Sequence, residues 1–190
     1  MPTLHILRAG TPQPRPGRWG TAFALQMADE IIMVDCGPCA TGKLVAAGLA
    51  LTDVNWLFFT HHHSDHNADY PSLVLFRWDQ CIGEEPPLHV LGPPPTEHVT
   101  ERLFGADGAF RDDIAARINH PASEYWHTRR GGTLPRPGPS LDARDVNPGD
   151  TIDGPAWTAR CVEVDHMQPW LQTYAWRFDW DGGGVCLAGD

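Results

Sequence analysis

The pattern of apolar and polar residues along the chain predicts a mixture of strands and helices. Short apolar or alternating runs bounded by glycine, proline, asparagine or aspartate are typical of strands. Such runs occur at residues 3–9, 21–28, 30–35, 56–59, 88–91, 157–164, 172–180 and 185–188. Apolar residues on one face at helical spacing predict helices over residues 40–49, 67–80, 96–104 and 109–119. Strands are therefore expected near both ends of the chain, and helices mainly between them.

Residues 120–150 differ from the rest of the chain. They hold much of its glycine and proline and show little periodicity. They also carry a group of basic residues in an acidic protein: Arg129, Arg130, Arg136 and Arg144. A long insert without secondary structure in a compact domain is often a lid or a substrate arm. A mobile surface loop is the alternative, and the sequence favours neither.

The length and composition fit one globular domain over residues 1–190. A chain of 190 residues with 42% hydrophobic side chains is long enough to bury a core. No apolar run approaches the roughly 20 residues of a membrane span, so no membrane association is expected. The N-terminus lacks the charged-then-apolar pattern of a signal peptide, which makes a cytoplasmic location the default.

The charge and the cysteines narrow the expected partners further. The formal net charge is −10, with 24 acidic against 14 basic side chains. Such a balance repels a polyanion, although bound divalent cations would reverse the sign locally. A small anionic ligand is therefore favoured over nucleic acid, which stays possible. Five scattered cysteines do not predict a disulfide framework.

A dense group of possible metal ligands follows the apolar run at residues 56–59. Four histidines and an aspartate occupy six positions, with the order His61, His62, His63, Asp65 and His66. Residues two apart in an extended backbone point the same way, so His61 and His63 can converge on one ion while His62 faces the other side. Asp65 and His66, beyond the bend at Ser64, are placed to serve a second ion. An expression tag would lie at a terminus and lack the carboxylate.

The His-x-His-x-Asp-His sequence after a hydrophobic strand resembles the signature of the metallo-β-lactamase superfamily. The first strand, the following loop and a hairpin ending in Asp35-Cys36-Gly37 resemble its ribonuclease Z-like or arylsulfatase-like branch. The resemblance implies an α/β fold, the αββα sandwich, with the N-terminal half and the start of the second half present. It also implies that Asp35 orients the histidine loop without binding metal itself, as a carboxylate accepting a ligand's ring N–H would do.

Two further residues complete the expected site. His166 directly follows the strand predicted at 157–164, and this placement suits a third ligand on the ion of His61 and His63. The family has a lone histidine at this point. Ala188-Gly189-Asp190 resembles the family's Gly-Asp motif, whose aspartate bridges two metals. Family domains continue beyond this motif to a last histidine ligand. The domain is therefore expected to be incomplete at its C-terminus, with the remainder supplied by a continuing or second chain.

The resemblance implies a metal-dependent hydrolase with two divalent ions, zinc first and manganese or iron as alternatives. Imidazole and carboxylate donors suit these metals. Paired ions lower the pKa of a bound water and present a hydroxide to an ester. Asp65 and His66 are the expected catalytic residues. Phosphodiester hydrolysis is favoured, while sulfate-ester, lactone and β-lactam hydrolysis remain open. A non-catalytic zinc-binding interaction module is the alternative of another class, and a homodimer is also open.

Two other features allow more than one interpretation. Cys36-Gly37-Pro38-Cys39 has the spacing of a thioredoxin-like redox pair, but the charge of Asp35 opposes thiolate formation. A structural turn is therefore favoured over a redox role. Trp126 and Trp170 could line a substrate pocket, although packing in the core is the favoured expectation.

Overall fold

The computed structural model describes residues 2–13 and 15–190. Its helices are α1 (Ala40–Ala46), α2 (Ser64–Asn67), α3 (Tyr70–Gln80), α4 (Thr96–Phe104), α5 (Arg111–Asn119) and α6 (Pro121–Arg129), with a short 3-10 turn at Leu51–Asp53. Its strands are β1 (Thr3–Arg8), β2 (Ala22–Met27), β3 (Glu30–Val34), β4 (Val54–Phe58), β5 (Leu88–Gly92), β6 (Leu141–Asp145), β7 (Thr151–Asp153), β8 (Trp157–Glu163), β9 (Tyr174–Trp180) and β10 (Gly183–Ala188).

These strands form two sheets. The larger sheet has the order β1-β2-β3-β4-β5-β6. Its first three strands are antiparallel, while β3, β4, β5 and β6 run parallel. The smaller sheet has the order β10-β9-β8-β7 and is antiparallel throughout. The parallel arrangement brings the carboxyl ends of β3, β4 and β5 to one edge of the larger sheet.

Strand β3 shows how the layers are built. Successive side chains of a strand point to opposite faces. Ile31 and Met33 pack into a core shared with α1 and α3. Ile32 and Val34 pack into a second core shared with the smaller sheet. Helices therefore cover one face of the larger sheet and the smaller sheet covers the other, which confirms the predicted α/β sandwich.

The carboxylate of Glu30 ties the two sheets together. It accepts hydrogen bonds from the indole nitrogen of Trp56 at 2.9 Å and from that of Trp157 at 2.7 Å. Trp56 lies on β4 and Trp157 on β8, and their rings meet edge to face with centroids 5.0 Å apart. Both indole donors are thus satisfied at the seam between the sheets.

The structure corrects the sequence prediction in four places. Residues 120–150 are not devoid of secondary structure, because they contain α6 and β6. Strand β6 pairs with β5 in parallel, starting at Leu88 and Leu141, and such non-local pairing leaves no local signal. The helix predicted at 67–80 is α3 and begins only at Tyr70, while the short helix α2 and strand β7 were not predicted. Trp126 and Trp170 do not pack in the core: they are 63% and 92% exposed.

The described residues contain no helix long and apolar enough to cross a membrane.

Candidate metal centre

The histidine loop starts at the carboxyl end of β4. The chain leaves β4 at Phe58 and enters α2 at Ser64, so residues 59–63 lie at the edge where the parallel strands end. His61 and His66 are fully buried and Asp65 nearly so. Burial of three polar side chains is unfavourable without partners, which marks this loop as a functional feature.

Close backbone contacts hold the loop against the ends of β2 and β3. The amide of Thr21 donates to the Asp65 carbonyl at 2.8 Å, and that of Cys36 donates to the His66 carbonyl at 2.7 Å. A β-carbon at Gly20 or Gly37 would lie 2.0 Å from the Asp65 carbonyl oxygen. Glycine at these two positions therefore allows the loop to approach this closely.

Three imidazoles converge beyond β4. His61 Nε2 lies 3.0 Å from His63 Nδ1, which lies 3.3 Å from His166 Nε2. One nitrogen of each ring lies within 4.8 Å of those of the other two. Ligands about 2.05 Å from a tetrahedral zinc ion are roughly 3.3 Å apart. The spacing of these nitrogens therefore fits a shared transition-metal ion.

A second group of donors adjoins the first. His61, His66 and Asp190 each place one ligand atom within 4.8 Å of the others. His66 Nε2 lies 3.3 Å from Asp190 Oδ1 and 3.7 Å from Asp65 Oδ2. His66 Nε2 and both carboxylate oxygens of Asp65 are buried without a hydrogen-bond partner. Buried lone pairs without a hydrogen-bond donor are what a bound cation would satisfy.

Asp35 and Thr60 fix the protonation of the two buried rings. Asp35 Oδ1 accepts from the Thr60 amide at 2.8 Å, and Oδ2 accepts from the Thr60 hydroxyl at 2.8 Å and from His66 Nδ1 at 2.7 Å. Because its hydroxyl donates to Asp35, Thr60 accepts from His61 Nδ1 at 3.0 Å. Both histidines thus carry their proton on Nδ1, and their Nε2 lone pairs face the candidate site.

The surroundings of the two buried histidines shift their pKa values in opposite directions. Burial, and after it the neighbouring imidazoles of His66, His63 and His166, together lower the pKa of His61 from its usual 6.5 to about 3. His61 is therefore neutral near pH 7, as a metal ligand must be. Burial would also lower the pKa of His66, but the hydrogen bond and charge of Asp35 outweigh it and raise that pKa above 6.5. Burial raises the pKa of Asp35 in turn.

The loop that carries His166 has its own brace. The His166 amide donates to the side-chain carbonyl of Gln168 at 2.7 Å, and the Gln168 amide donates to the Val164 carbonyl at 2.7 Å. The Tyr174 amide donates to the Thr60 carbonyl at 2.8 Å, which joins β9 to the histidine loop. The sequence analysis missed Gln168 and Thr60, because neither lies in a spacing that suggests a ligand.

His62 points away from the site, as strand alternation predicted. The Thr96 hydroxyl donates to the Pro93 carbonyl at 2.7 Å, so it accepts from His62 Nε2 at 2.8 Å. His62 lies in neither donor group. Its hydrogen bond instead connects the histidine loop to the start of α4.

The cysteine pair lacks the features of a redox site. Cys36 is fully buried, whereas Cys39 is exposed. Burial raises the pKa of the Cys36 thiol well above its usual range, and the charges of Asp69 and Asp35 raise it further. A thioredoxin-like cysteine requires the opposite shift. The favoured structural turn is thus supported over the redox interpretation.

Comparison with known proteins agrees with this geometry. The sequence model described as the metallo-beta-lactamase superfamily matches residues 20–159. The chain is 32% identical over 188 residues to ribonuclease Z of Mycobacterium avium (strain 104), covering 98% of this chain and 62% of the relative. It is 33% identical over 188 residues to ribonuclease Z of Mycobacterium sp. (strain KMS), covering 98% of this chain and 60% of that relative. The chain thus spans roughly three fifths of the length of these relatives.

Solved structures show the same fold. The short form of human tRNase Z matches with a TM-score of 0.67 at 18% identity, over 100% of this chain and 69% of that one. The metallo-beta-lactamase fold protein YhfI from Bacillus subtilis matches with a TM-score of 0.68 at 14% identity, over 100% of this chain and 63% of that one. At such identities the likeness concerns the fold alone.

Proposed function

The chain belongs to the metallo-β-lactamase superfamily, and from this premise we propose that it is a metal-dependent hydrolase of phosphodiester bonds. The ribonuclease Z relatives support the ribonuclease Z-like branch. The observation that carries the proposal is the meeting of two donor groups at His61, one with His63 and His166 and the other with His66 and Asp190. The whole protein's activity and substrate are part of the proposal.

In this proposal His61, His63 and His166 would hold one divalent ion. Asp65 and His66 would hold the other, and Asp190 would be a ligand shared by both. The unpartnered oxygens of Asp65 and the unpartnered Nε2 of His66 support their assignment. The contact of His61 with the second group adds a feature that sequence spacing did not predict. Zinc is the favoured metal because imidazole nitrogen and carboxylate oxygen are its usual ligands, and manganese or iron would also suit them.

The residues around the ligands would prepare them for the ions. Asp35 keeps the proton of His66 on Nδ1, and the Thr60 hydroxyl does the same for His61. Gln168 positions the backbone of His166. When bound, the paired ions supply Lewis-acid chemistry, because they lower the pKa of water and stabilise charge that develops on an ester oxygen. Asp65 and His66 are proposed to act next to the reacting ester, where their buried polar atoms have no protein partner.

The choice of a phosphodiester rests on the relatives, whose name, ribonuclease Z, specifies RNA. Sulfate esters, lactones and β-lactams are alternative substrates for the same metal chemistry. Among phosphodiesters, the net charge of −10 favours a small anionic ester, because a polyanion needs a broad basic footprint. RNA is the second candidate substrate, supported by the ribonuclease Z relatives. If residues 120–150 act as a lid over the substrate, α6 would be a structured part of that lid.

A substrate panel tests the proposal. The polypeptide encoded by the complete gene is assayed with a chromogenic phosphodiester, a sulfate ester, a lactone, a β-lactam and a short RNA. We expect phosphodiester hydrolysis that a chelator abolishes and zinc restores. Metal binding without hydrolysis of any panel member would contradict the proposal and favour a non-catalytic zinc-binding module. Preferential hydrolysis of another ester class would overturn the phosphodiester assignment.

A further inference from the structure

A cavity of about 420 Å³ lies where the C-terminal end of α3 meets α5, α6 and the segment before β6. Among the residues that line it are Asp79, Arg117, Ser123, Trp126, Arg130 and Arg136. Small-molecule sites are typically roughly 300–1,000 Å³. Three arginines around one cavity are unusual in a chain of net charge −10 that has 14 basic residues. The cavity therefore has the size and the charge of a site for a small anion.

Arg136 forms the buried wall of this cavity. It is only 4% exposed, and its guanidinium lies over the Trp78 ring, 4.3 Å from the ring centroid. Its Nη2 contacts Asp79 Oδ1 at 3.2 Å, and the Trp78 carbonyl lies at 3.5 Å. Its Nε is buried without a hydrogen-bond partner. A buried cationic donor without an acceptor is costly unless a ligand supplies one.

The other two guanidiniums keep donors free. Arg117 uses Nε for Asp113 at 3.1 Å and Nη1 for Asp79 at 3.3 Å, and Arg130 uses Nη1 for the Asp79 carbonyl at 2.7 Å. Each guanidinium has five N–H donors. Within the described residues, Arg117 Nη2 and Arg130 Nε and Nη2 have no acceptor. The three positive charges exceed the two carboxylates that contact them, which leaves a net attraction for an anion.

Helix α6 and the residue that follows it, Arg130, form another side of the cavity. Counted from Ser123, Trp126 lies three residues on and Arg130 seven, a spacing that places them on one side of a helix. The Ser123 hydroxyl has no hydrogen-bond partner within residues 2–13 and 15–190. Trp126 is 63% exposed and meets the ring of Tyr125 edge to face with centroids 5.2 Å apart, so much of its indole surface is available to a planar ring. An aromatic side chain beside arginines is the combination that binds a base and its phosphate.

This cavity is separate from the candidate metal centre. Helix α3 begins at Tyr70, whose ring lies 5.3 Å from that of Phe59 beside the histidine loop. Asp79 lies in its last turn. The 11 residues of the helix span about 16 Å at 1.5 Å per residue. No residue that lines the cavity belongs to either donor group.

We propose that this cavity is a second site, which binds the phosphate of a nucleotide through Arg117, Arg130 and Arg136 and stacks the base on Trp126. Arginine suits this role because its planar donors match phosphate oxygens in pairs. The proposal assigns binding and not cleavage to this cavity, because no residue that lines it belongs to either donor group of the candidate metal centre. It does not depend on the proposed hydrolase activity, and the two can fail separately.

The test is calorimetric titration of the chelator-treated chain with inorganic phosphate and with adenosine 5′-monophosphate. Chelation removes metal ions that would themselves bind phosphate. The variant Arg117→Gln/Arg130→Gln leaves buried Arg136 and its contact with Asp79 in place. The matched control Arg102→Gln/Arg111→Gln removes the same charge from exposed positions outside the cavity. Circular dichroism verifies that all variants are folded.

We expect Arg117→Gln/Arg130→Gln to weaken binding of both ligands about tenfold or more, the size of one charge-assisted hydrogen bond. The control double variant should bind both like the wild type. Trp126→Ala should weaken only the nucleotide, because inorganic phosphate has no base to stack. Equal weakening by the two double variants would overturn the site, since only general charge would then matter. Unchanged nucleotide binding in Trp126→Ala would overturn its assignment to a nucleotide.

Discussion

Asp35 Oδ2 lies 2.7 Å from His66 Nδ1, and both side chains are fully buried. The two residues are 31 positions apart, on the end of β3 and in α2. Their contact fixes the ring of His66 so that Nε2 faces Asp65 and Asp190. A buried carboxylate thus orients the imidazole of a proposed metal ligand.

Removing the charge of Asp35 should weaken the proposed site while the fold remains. Asp35→Asn keeps the size of the side chain but loses the negative charge that raises the pKa of His66. Outer partners of ligating histidines typically contribute about 10- to 100-fold to metal affinity. We expect a loss of that size in a competitive zinc titration. Asp53→Asn, an exposed change of the same type, is the control. Equal zinc affinity in both variants would contradict the role of Asp35.

The hydroxyl of Thr60 should contribute more to the stability of the protein than the shape of the side chain does. Thr60→Val has nearly the same volume but removes the donor to Asp35 and the acceptor for His61 Nδ1. Leaving a buried polar group without a partner costs about 1–3 kcal/mol of unfolding free energy. Urea denaturation of the chelated protein should show this loss for Thr60→Val and most of it restored in Thr60→Ser. If serine and valine destabilise the protein alike, packing rather than the hydroxyl explains the effect.

Of the two cysteines Cys36 and Cys39, only Cys39 should react with a thiol reagent in the native protein. Cys39 and Cys186 are exposed, whereas Cys36, Cys81 and Cys161 are buried. Burial raises the pKa of Cys36, so its thiol stays protonated and unreactive near neutral pH. A colorimetric thiol titration at pH 7 should label Cys39 and Cys186 quickly and the others only after unfolding. Rapid labelling of Cys36 at this pH would revive the redox interpretation.

His62 should make the metal-free protein less stable in mild acid. Burial lowers its pKa from 6.5 to about 4, although the Pro93 carbonyl and the charge of Asp145 partly oppose this. Between these values the unfolded chain takes up a proton that folded His62 does not, so stability falls as pH falls. Urea titrations with chelator at pH 7 and pH 5 should show a larger loss for the wild type than for His62→Gln. Equal losses would show that His62 titrates normally in the folded state.

Local pattern was sufficient for much of the fold. Strand alternation predicted that His62 would turn from His61 and His63, and the bond from His62 to Thr96 confirms this. The composition of the histidine-rich loop also indicated a metal site, because four imidazoles and a carboxylate are rarely found together directly after a buried strand. The mixed α/β class followed from the motif and was confirmed by two sheets and the helices that cover one of them.

Residue periodicity did not reveal the long-range contacts, although strand-end placement and the family resemblance implied that His166 would lie near His61 and His63. His166 meets His63 across 103 positions, and Thr60 meets Asp35 across 25. Neither contact follows from periodicity, and Thr60 carried no signal because threonine at a strand end is ordinary. Strand β6 was not predicted because its half-exposed sequence gives little sign of a strand. It is stabilised by parallel pairing with β5. The arginine-lined cavity depends on the same kind of contact, since Asp79 meets Arg136 across 57 positions.

The metal content of His63→Ala, compared with that of His62→Ala, tests the central claim most directly. His63 belongs to the first donor group, whereas its neighbour His62 points to the other side of the chain, toward Thr96, and lies in neither group. Elemental analysis after zinc loading should find about two ions in the wild type and in His62→Ala, as in paired-metal hydrolases. It should find about one fewer in His63→Ala, because a three-histidine site loses a ligand. Equal metal content in the wild type and both variants would contradict the claim.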